Sequence, residues 1–317
     1  MATIAKEPPG TRTRLANLIQ NQKFQKNVFV LSALVPMIIF FGVFYIYPVI
    51  GGILGSLTNW RAFVPARDFV GLAQYQKLFA DPIFLASVKN TFIYTATYLV
   101  INTILALSLA LAVDASGILR SLFRTIYFLP VVTSVVATAL IWNWLYQPRY
   151  GLINIILNAF GIPSQPFLRD PSQALISIVF YAVWKQVGYD MVLFMAGLSG
   201  ISRSFYEAAK VDGANRWQVF RYITLPLLQP TVVFVTITGI IGSLQVFGPV
   251  YIMSSLSIND LPGGPLNSTY VISVYQYQVA FKQLELGYGS AMGIVLFIIV
   301  LVVTLFQSRF LRRRWEY

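Results

Sequence analysis

A chain of 317 residues that is 57% hydrophobic and 11% charged, with mean hydropathy +0.68 and net charge +12, carries about half the charged fraction of a soluble domain. It has no cysteine and no histidine, which excludes disulfides, thiol chemistry, Cys/His metal sites and every histidine-based catalytic dyad. Apolar runs of about 20 residues recur with basic residues clustered between them, a pattern of membrane orientation rather than nucleic-acid binding, so the composition specifies an all-α integral membrane protein.

Residues 1–27 form a basic tail with Lys6, Arg12, Arg14, Lys23 and Lys26 against Glu7. Leu15, Leu18, Ile19 and Phe24 would let part of it lie on the membrane surface, and a disordered tail explains it as well. The first apolar run, about 28–50, is too long for a signal-peptide core and lacks a small-residue cleavage site, so it reads as a retained span. Further spans are predicted at about 89–113, 125–146, 175–198, 229–254 and 289–309. Pro36, Pro48 and Pro130 are tolerable inside them because neighbouring helices can satisfy freed carbonyls.

Six spans place both termini on one side. The tail, the 114–124 turn, the 199–228 loop and the C-terminal segment hold 15 Lys and Arg, against seven in the longer opposite loops. Both termini and the 199–228 loop are therefore expected in the cytoplasm, with a 28–310 membrane domain and a 311–317 cytoplasmic tail. Arg312, Arg313 and Arg314 suit the C-terminal dipole of the last helix. On the outside, Gly71–Phe79 reads as a short surface helix and 151–161 as an interfacial one. Residues 255–269, with Asn259-Asp260 and Pro262-Gly-Gly-Pro265, read as turns.

The polar 199–228 loop stands apart from this apolar background. Ser202 or Ser204 can cap a helix over Phe205–Val211 with Glu207 in its first turn, and Asp212-Gly213 breaks it. A second helix is predicted over Ala214–Tyr222, with Trp217, Phe220 and Ile223 roughly on one face, ended at Leu225-Pro226 because the residue before proline leaves the helical region. Ala208, Ala209, Gly213 and Ala214 permit close backbone approach, and Trp217 and Phe220 are poor choices for a solvated face. The loop reads as a docking element for another protein, with a solvated connector as the alternative.

Glu207-Ala-Ala-x-x-Asp-Gly-Ala-x-x-x-Gln218-x-Phe220-x-x-Ile223-x-Leu225-Pro226-x-x-x-Pro230 resembles, position for position over about 24 residues, the Glu-Ala-Ala loop of ABC importer permeases. Asn90-Thr91, Trp142-x-Trp144-Leu-Tyr with Gly151-x-x-Asn154, and Ala280-Phe281 with Gly287-Tyr-Gly-Ser-Ala291 look like the carbohydrate-uptake branch (maltose, lactose and glycerol 3-phosphate permeases). The resemblance implies a type I ABC importer permease fold in a prokaryotic cytoplasmic membrane. It implies a second similar permease, an ABC ATPase dimer, an extracytoplasmic solute-binding protein and a sugar-like solute as partners, and no nucleic acid. Glu207, Ala208, Ala209, Asp212, Gly213, Ala214, Gln218, Phe220, Leu225 and Pro226 would then couple to the ATPase, with Gly213 at the close-approach position. No Gly-x-x-x-x-Gly-Lys-Ser/Thr occurs, so ATP and Mg²⁺ would be bound by the partner; no cofactor is expected in this chain, and it would not be an enzyme.

Polar residues inside spans give the candidates for a substrate path. The fourth span carries Tyr181, Trp184, Lys185, Gln186, Tyr189 and Asp190, and a lysine near the bilayer centre costs about 2.5–3.5 kcal/mol unless it faces protein or water. Its alternative roles are an ion pair with another helix or an interface with the second permease. In the fifth span Ser243, Gln245 and Phe247 lie where related permeases place sugar contacts, although Gln245 can also simply bridge helices. Ser254–Pro262 lengthens an outer loop relative to the family, so family contacts do not carry over there. Two rival readings remain: a non-sugar importer on the same fold, and an ion-coupled secondary transporter, for which Asp190 is the one clear buried acid.

Overall fold

A computed structural model describes residues 22–64, 67–255 and 262–311. The tail residues Lys6, Glu7, Arg12 and Arg14, the Asn259-Asp260 turn, most of the Ser254–Pro262 extension and Arg312–Arg314 lie outside the described residues. The described residues form helices joined by turns and loops, with one isolated antiparallel bridge, Thr58 to Phe69, among them. They fall into two compact units, one up to Leu54 and one from Gly55 onward.

The first unit is α1 (Gln22–Phe41), a π-helical turn (Gly42–Ile46) and most of α2 (Tyr47–Ser56). Pro36 sits inside α1, and aromatic rings such as Phe41 and Tyr45, 5.1 Å apart, stack along the helix surface. Nearly every apolar side chain of this stretch is exposed, as the continuous hydrophobicity of a lipid-facing helix requires.

In the second unit α3 (Ala73–Ala80) leads into α4 (Pro82–Asp114), which starts seven residues before the predicted second span. Asp81 explains the early start. Its side chain accepts from the N–H groups of Ile83 and Phe84, and Pro82 occupies the first helical position, where a missing N–H costs nothing. The third span is not one helix: α5 (Arg120–Val132) and α6 (Val135–Leu145) meet at 98°. Thr133 and Ser134 are extended there (ψ 156° and 130°), just after Pro130. After α7 (Leu152–Ala159), the expected interfacial helix, comes α8 (Ala174–Ser199).

The cytoplasmic-loop candidates are α9 (Arg203–Val211) and α10 (Arg216–Val219), followed by a π-turn (Phe220–Thr224) and α11 (Leu225–Leu227). The stretch predicted as the fifth span holds α12 (Gln229–Leu244), bent 64° from the preceding helix, and α13 (Gly248–Ser254), with a break at 245–247. α14 (Ile272–Tyr277), a π-turn (Gln278–Lys282) and α15 (Leu286–Leu311) complete the described chain. By length and apolarity three helices qualify as membrane spans among the described residues, or five if each bent pair is one.

The core of this unit centres on α4 and α8, its most extensive helix pair. Phe84, Tyr94, Ala106 and Ala110 of α4, with Ile178, Tyr181, Met191 and Phe194 of α8, are almost fully enclosed. α8 also packs against α5, and Gly188 is what allows it: a Cβ there would lie 1.9 Å from the Tyr127 carbonyl oxygen.

Candidate functional site

Two places combine unusual chemistry with unusual backbone. The first is a cavity of about 380 Å³ between α4, α5, α8 and α12, lined in part by polar side chains. Lys185, Gln186, Tyr189 and Asp190 line it from α8 and Ser243 from α12. Tyr94 and Tyr98 of α4 line it as well, their rings parallel at 6.1 Å. Tyr94 and Tyr98 were not singled out from the sequence; their four-residue spacing on one helix face was the available signal.

Four of the sequence candidates do not line this cavity. Tyr181 is fully enclosed, its hydroxyl donating to the Val135 carbonyl at 3.1 Å and sharing a 2.8 Å bond with Thr138. Trp184 packs on Trp142 at 5.4 Å. Gln245 caps α12 with an exposed side chain, and Phe247 stacks on Tyr251 at 5.2 Å and meets Tyr277 edge-on.

Lys185 and Asp190 do not pair with one another, and no carboxylate meets Lys185 among the described residues. The Lys185 ammonium instead lies at the end of α5. It donates to the carbonyls of Pro130, Val131 (3.3 Å) and Thr133 (2.5 Å) and to the Thr133 hydroxyl (3.0 Å). Carbonyls left orphaned where the third span breaks thus find donors on the neighbouring helix, beside a negative dipole end that favours a cation. The alternative of an ion pair with another helix thus finds no carboxylate partner among the described residues. Asp190, 4% exposed, accepts from the Asn102 amide at 2.5 Å.

The second place is the 200–228 segment. Ser202 caps α9, whose first residue is Arg203, so Glu207 falls beyond the first turn where it was expected. Gly213 takes φ +73°, the left-handed conformation predicted for the break; within this chain a Cβ there would meet nothing within 4 Å. Asn215 and Gln218 form a reciprocal capping box, with Gln218 N–H to Asn215 Oδ1 at 2.9 Å and Asn215 N–H to Gln218 Oε1 at 2.8 Å. Gln218 therefore shapes α10 itself. Leu225 remains helical (φ −65°, ψ −42°), so Leu225-Pro226 does not end the helix. The widened π-turn before it adjusts the backbone ahead of the proline, whose missing N–H an ordinary helix would leave as a gap.

Ala209 is buried, whereas Glu207, Ala208, Asp212 and Gly213 are exposed. Phe205, Ala208, Asp212, Gly213, Tyr222 and Ile223 line a groove of about 480 Å³. On its other side Trp217 remains 68% exposed although its ring meets Phe220 at 5.6 Å.

At the far end of α4, sequence inspection missed Asp81. Besides capping α4, its other oxygen accepts from the Tyr275 and Tyr288 hydroxyls, both at 2.7 Å, tying α14 and α15 to α4. Burial acts to raise its pKa, but these bonds and the two backbone N–H groups outweigh it and hold the carboxyl below its ordinary value. Glu285 pairs with Lys77 (2.5 Å) and Arg61 (3.3 Å) nearby.

Residues 102–316 match the family of binding-protein-dependent transport system inner membrane components. The chain belongs to this family. The lactose transport system permease protein of Rhizobium radiobacter is 34% identical over 283 residues, 88% of this chain and 92% of that one. A bacterial ABC transporter that imports the acidic polysaccharide alginate superposes with a TM-score of 0.80 at 27% identity, covering 96% of this chain and all of that one. A bacterial alginate ABC transporter in complex with an alginate pentasaccharide-bound periplasmic protein gives 0.80 at 26%, over 93% of this chain and 98% of that one. This member of the binding-protein-dependent family is thus an ABC transporter permease, a transport component of the inner membrane and not an enzyme.

Proposed function

We propose that this chain is a six-span permease subunit, both termini cytoplasmic, of an ATP-driven importer for a sugar or related glycoside or polyol. α8 supplies the fourth span, although two charged residues weaken its apolarity. The names of the lactose and alginate relatives support the sugar class. The partners are a second permease, an ABC ATPase dimer that binds ATP and Mg²⁺, and an extracytoplasmic solute-binding protein, as in the periplasmic complex of the alginate system.

The observation that carries this reading is the 200–228 segment: two short, self-capped helices around a left-handed glycine, with grooves and an exposed indole on their surface. Helices this short are marginal alone in water, and a docked ATPase would cover their apolar side. ATP-driven closure of the ATPase dimer moves the segment as a rigid piece. Thr224–Leu228 passes the displacement to α12, and the spans rock between outward and inward access around the cavity.

The test is purification of the chain with its partner subunits and with Gly213→Asp. Loss of the ATPase, or of its solute-stimulated activity, is the expected result. A variant that keeps both removes the segment from coupling. Uptake that survives collapse of the membrane potential with ATP maintained separates this importer from an ion-coupled one.

A further inference from the structure

Lys185 and Asp190 line the same cavity, but their hydrogen bonds leave them in unequal states. An ammonium has three N–H donors. Those of Lys185 converge on four oxygens at the end of α5, so no donor remains for a solute. Its charge is further offset by the helix C-terminus it faces, worth about half an elementary charge.

Asp190 is in the opposite position. Its only hydrogen bond among the described residues comes from the Asn102 amide, to Oδ2. A carboxylate offers about four acceptor positions, so capacity is left over. No arginine lines the cavity, and no cation pairs with Asp190 among the described residues. The other polar side chains lining it, Tyr94, Tyr98, Gln186, Tyr189, Thr238 and Ser243, are uncharged.

We infer that this cavity takes an uncharged polyhydroxylated solute and that Asp190 discriminates against one bearing a phosphate or carboxylate. Hydroxyl donors complement the spare acceptors of Asp190. An anionic group in the same space meets a like charge in a low-dielectric site, while the partly offset ammonium of Lys185 has no donor left to pair with it, and like-charge juxtaposition is an effective means of exclusion. The contrast is with the alginate importer, a structural relative whose cargo is acidic.

The inference rests on the proposed reading of the cavity as part of the solute path. Its test uses the assembled complex of this chain, the second permease and the ATPase, purified without the binding protein so that upstream selection is absent. Equilibrium dialysis then compares matched probes: methyl α-glucoside against glucuronate, and glycerol against glycerol 3-phosphate. The neutral member of at least one pair is expected to bind at least about tenfold more tightly. Asp190→Asn should close that gap by admitting the anion, and Asp190→Glu should reopen it. Should Asp190→Asn fail to assemble, Asp190→Ser, which also removes the charge, is read in its place and should close the gap likewise. Equal binding within both pairs, anion preference, or a gap untouched by Asp190→Asn overturns the discrimination by Asp190. Failure of every probe to bind overturns instead the reading of the cavity as a solute site.

Discussion

The break in the third span and the break at Gly213 are both interruptions of helix, but they are completed differently. At Thr133–Ser134 Thr133 bonds the Pro130 carbonyl locally, but the Val131 and Thr133 carbonyls are satisfied by Lys185, some 50 residues further along the chain and on another helix. At 202–218 the caps are local: Ser202 for α9, Asn215 and Gln218 for α10. The first break is therefore held by tertiary structure and sits beside the cavity. The second holds its own shape and leaves Val211, Trp217 and Tyr222 largely exposed for something else to cover. A long-range cap makes a fixed element of the interior; local caps make a part that can be pushed as one piece.

The sharpest way to break this contrast is Lys185→Met. It leaves the Val131 and Thr133 carbonyls without the Lys185 donor, while Pro130 keeps its bonds from the Thr133 N–H and hydroxyl, and we expect the purified complex to lose about 3 kcal/mol, read by thermal unfolding. A loss below about 0.5 kcal/mol would mean water replaces the ammonium and the break is not held by α8. Gly188→Ala tests the same helix pair from the packing side. Its Cβ meets backbone rather than a movable side chain, so about 2 kcal/mol should be lost, again with the 202–218 caps unaffected.

Asp81 offers a milder test through pH. Its folded pKa lies below the ordinary aspartate value, so its contribution is complete above the unfolded value and is lost as pH falls through the folded one. Thermal stability should therefore decline below about pH 4, and less steeply in Asp81→Asn than in the unaltered chain. Tyr288→Phe, which removes one of the four bonds to Asp81, should cost about 1 kcal/mol at neutral pH. The smallest effect on stability belongs to Trp217→Ala, within about 0.5 kcal/mol because the indole is mostly exposed. The same variant should nonetheless retain less ATPase on purification; unchanged retention would detach Trp217 from docking.

The helices and the 199–228 island were legible in the sequence because hydropathy and turn chemistry are local signals. The Asp212-Gly213 break needed only the residue's tolerance of positive φ, and it lies where expected. The third span was not legible as two helices, because Pro130 permits a bend without stating its size and the apolar run continues across it on both sides. Leu225-Pro226 misled for a related reason: a π-turn upstream lets the chain stay helical across a proline, and no residue announces it. In the polar constellation of α8, the types of residue were visible but their partners were not. Whether Lys185 faces a carboxylate, a solute or a helix end depends on what lies 55 residues earlier in the chain. Asp81 was passed over because its two tyrosines are about 200 residues away.

The Lys185 cap also predicts how the two sides of one contact tolerate change. Apart from the Thr133 hydroxyl, it recognises main-chain oxygens, which every residue type supplies. A saturation library should accept many substitutions at Val131, whose carbonyl is the same whatever the side chain. At 185 it should accept almost none, because only a long, flexible cation reaches all four oxygens. The contact is thus specified by one partner alone, and pairwise covariation between its two sides would not reveal it.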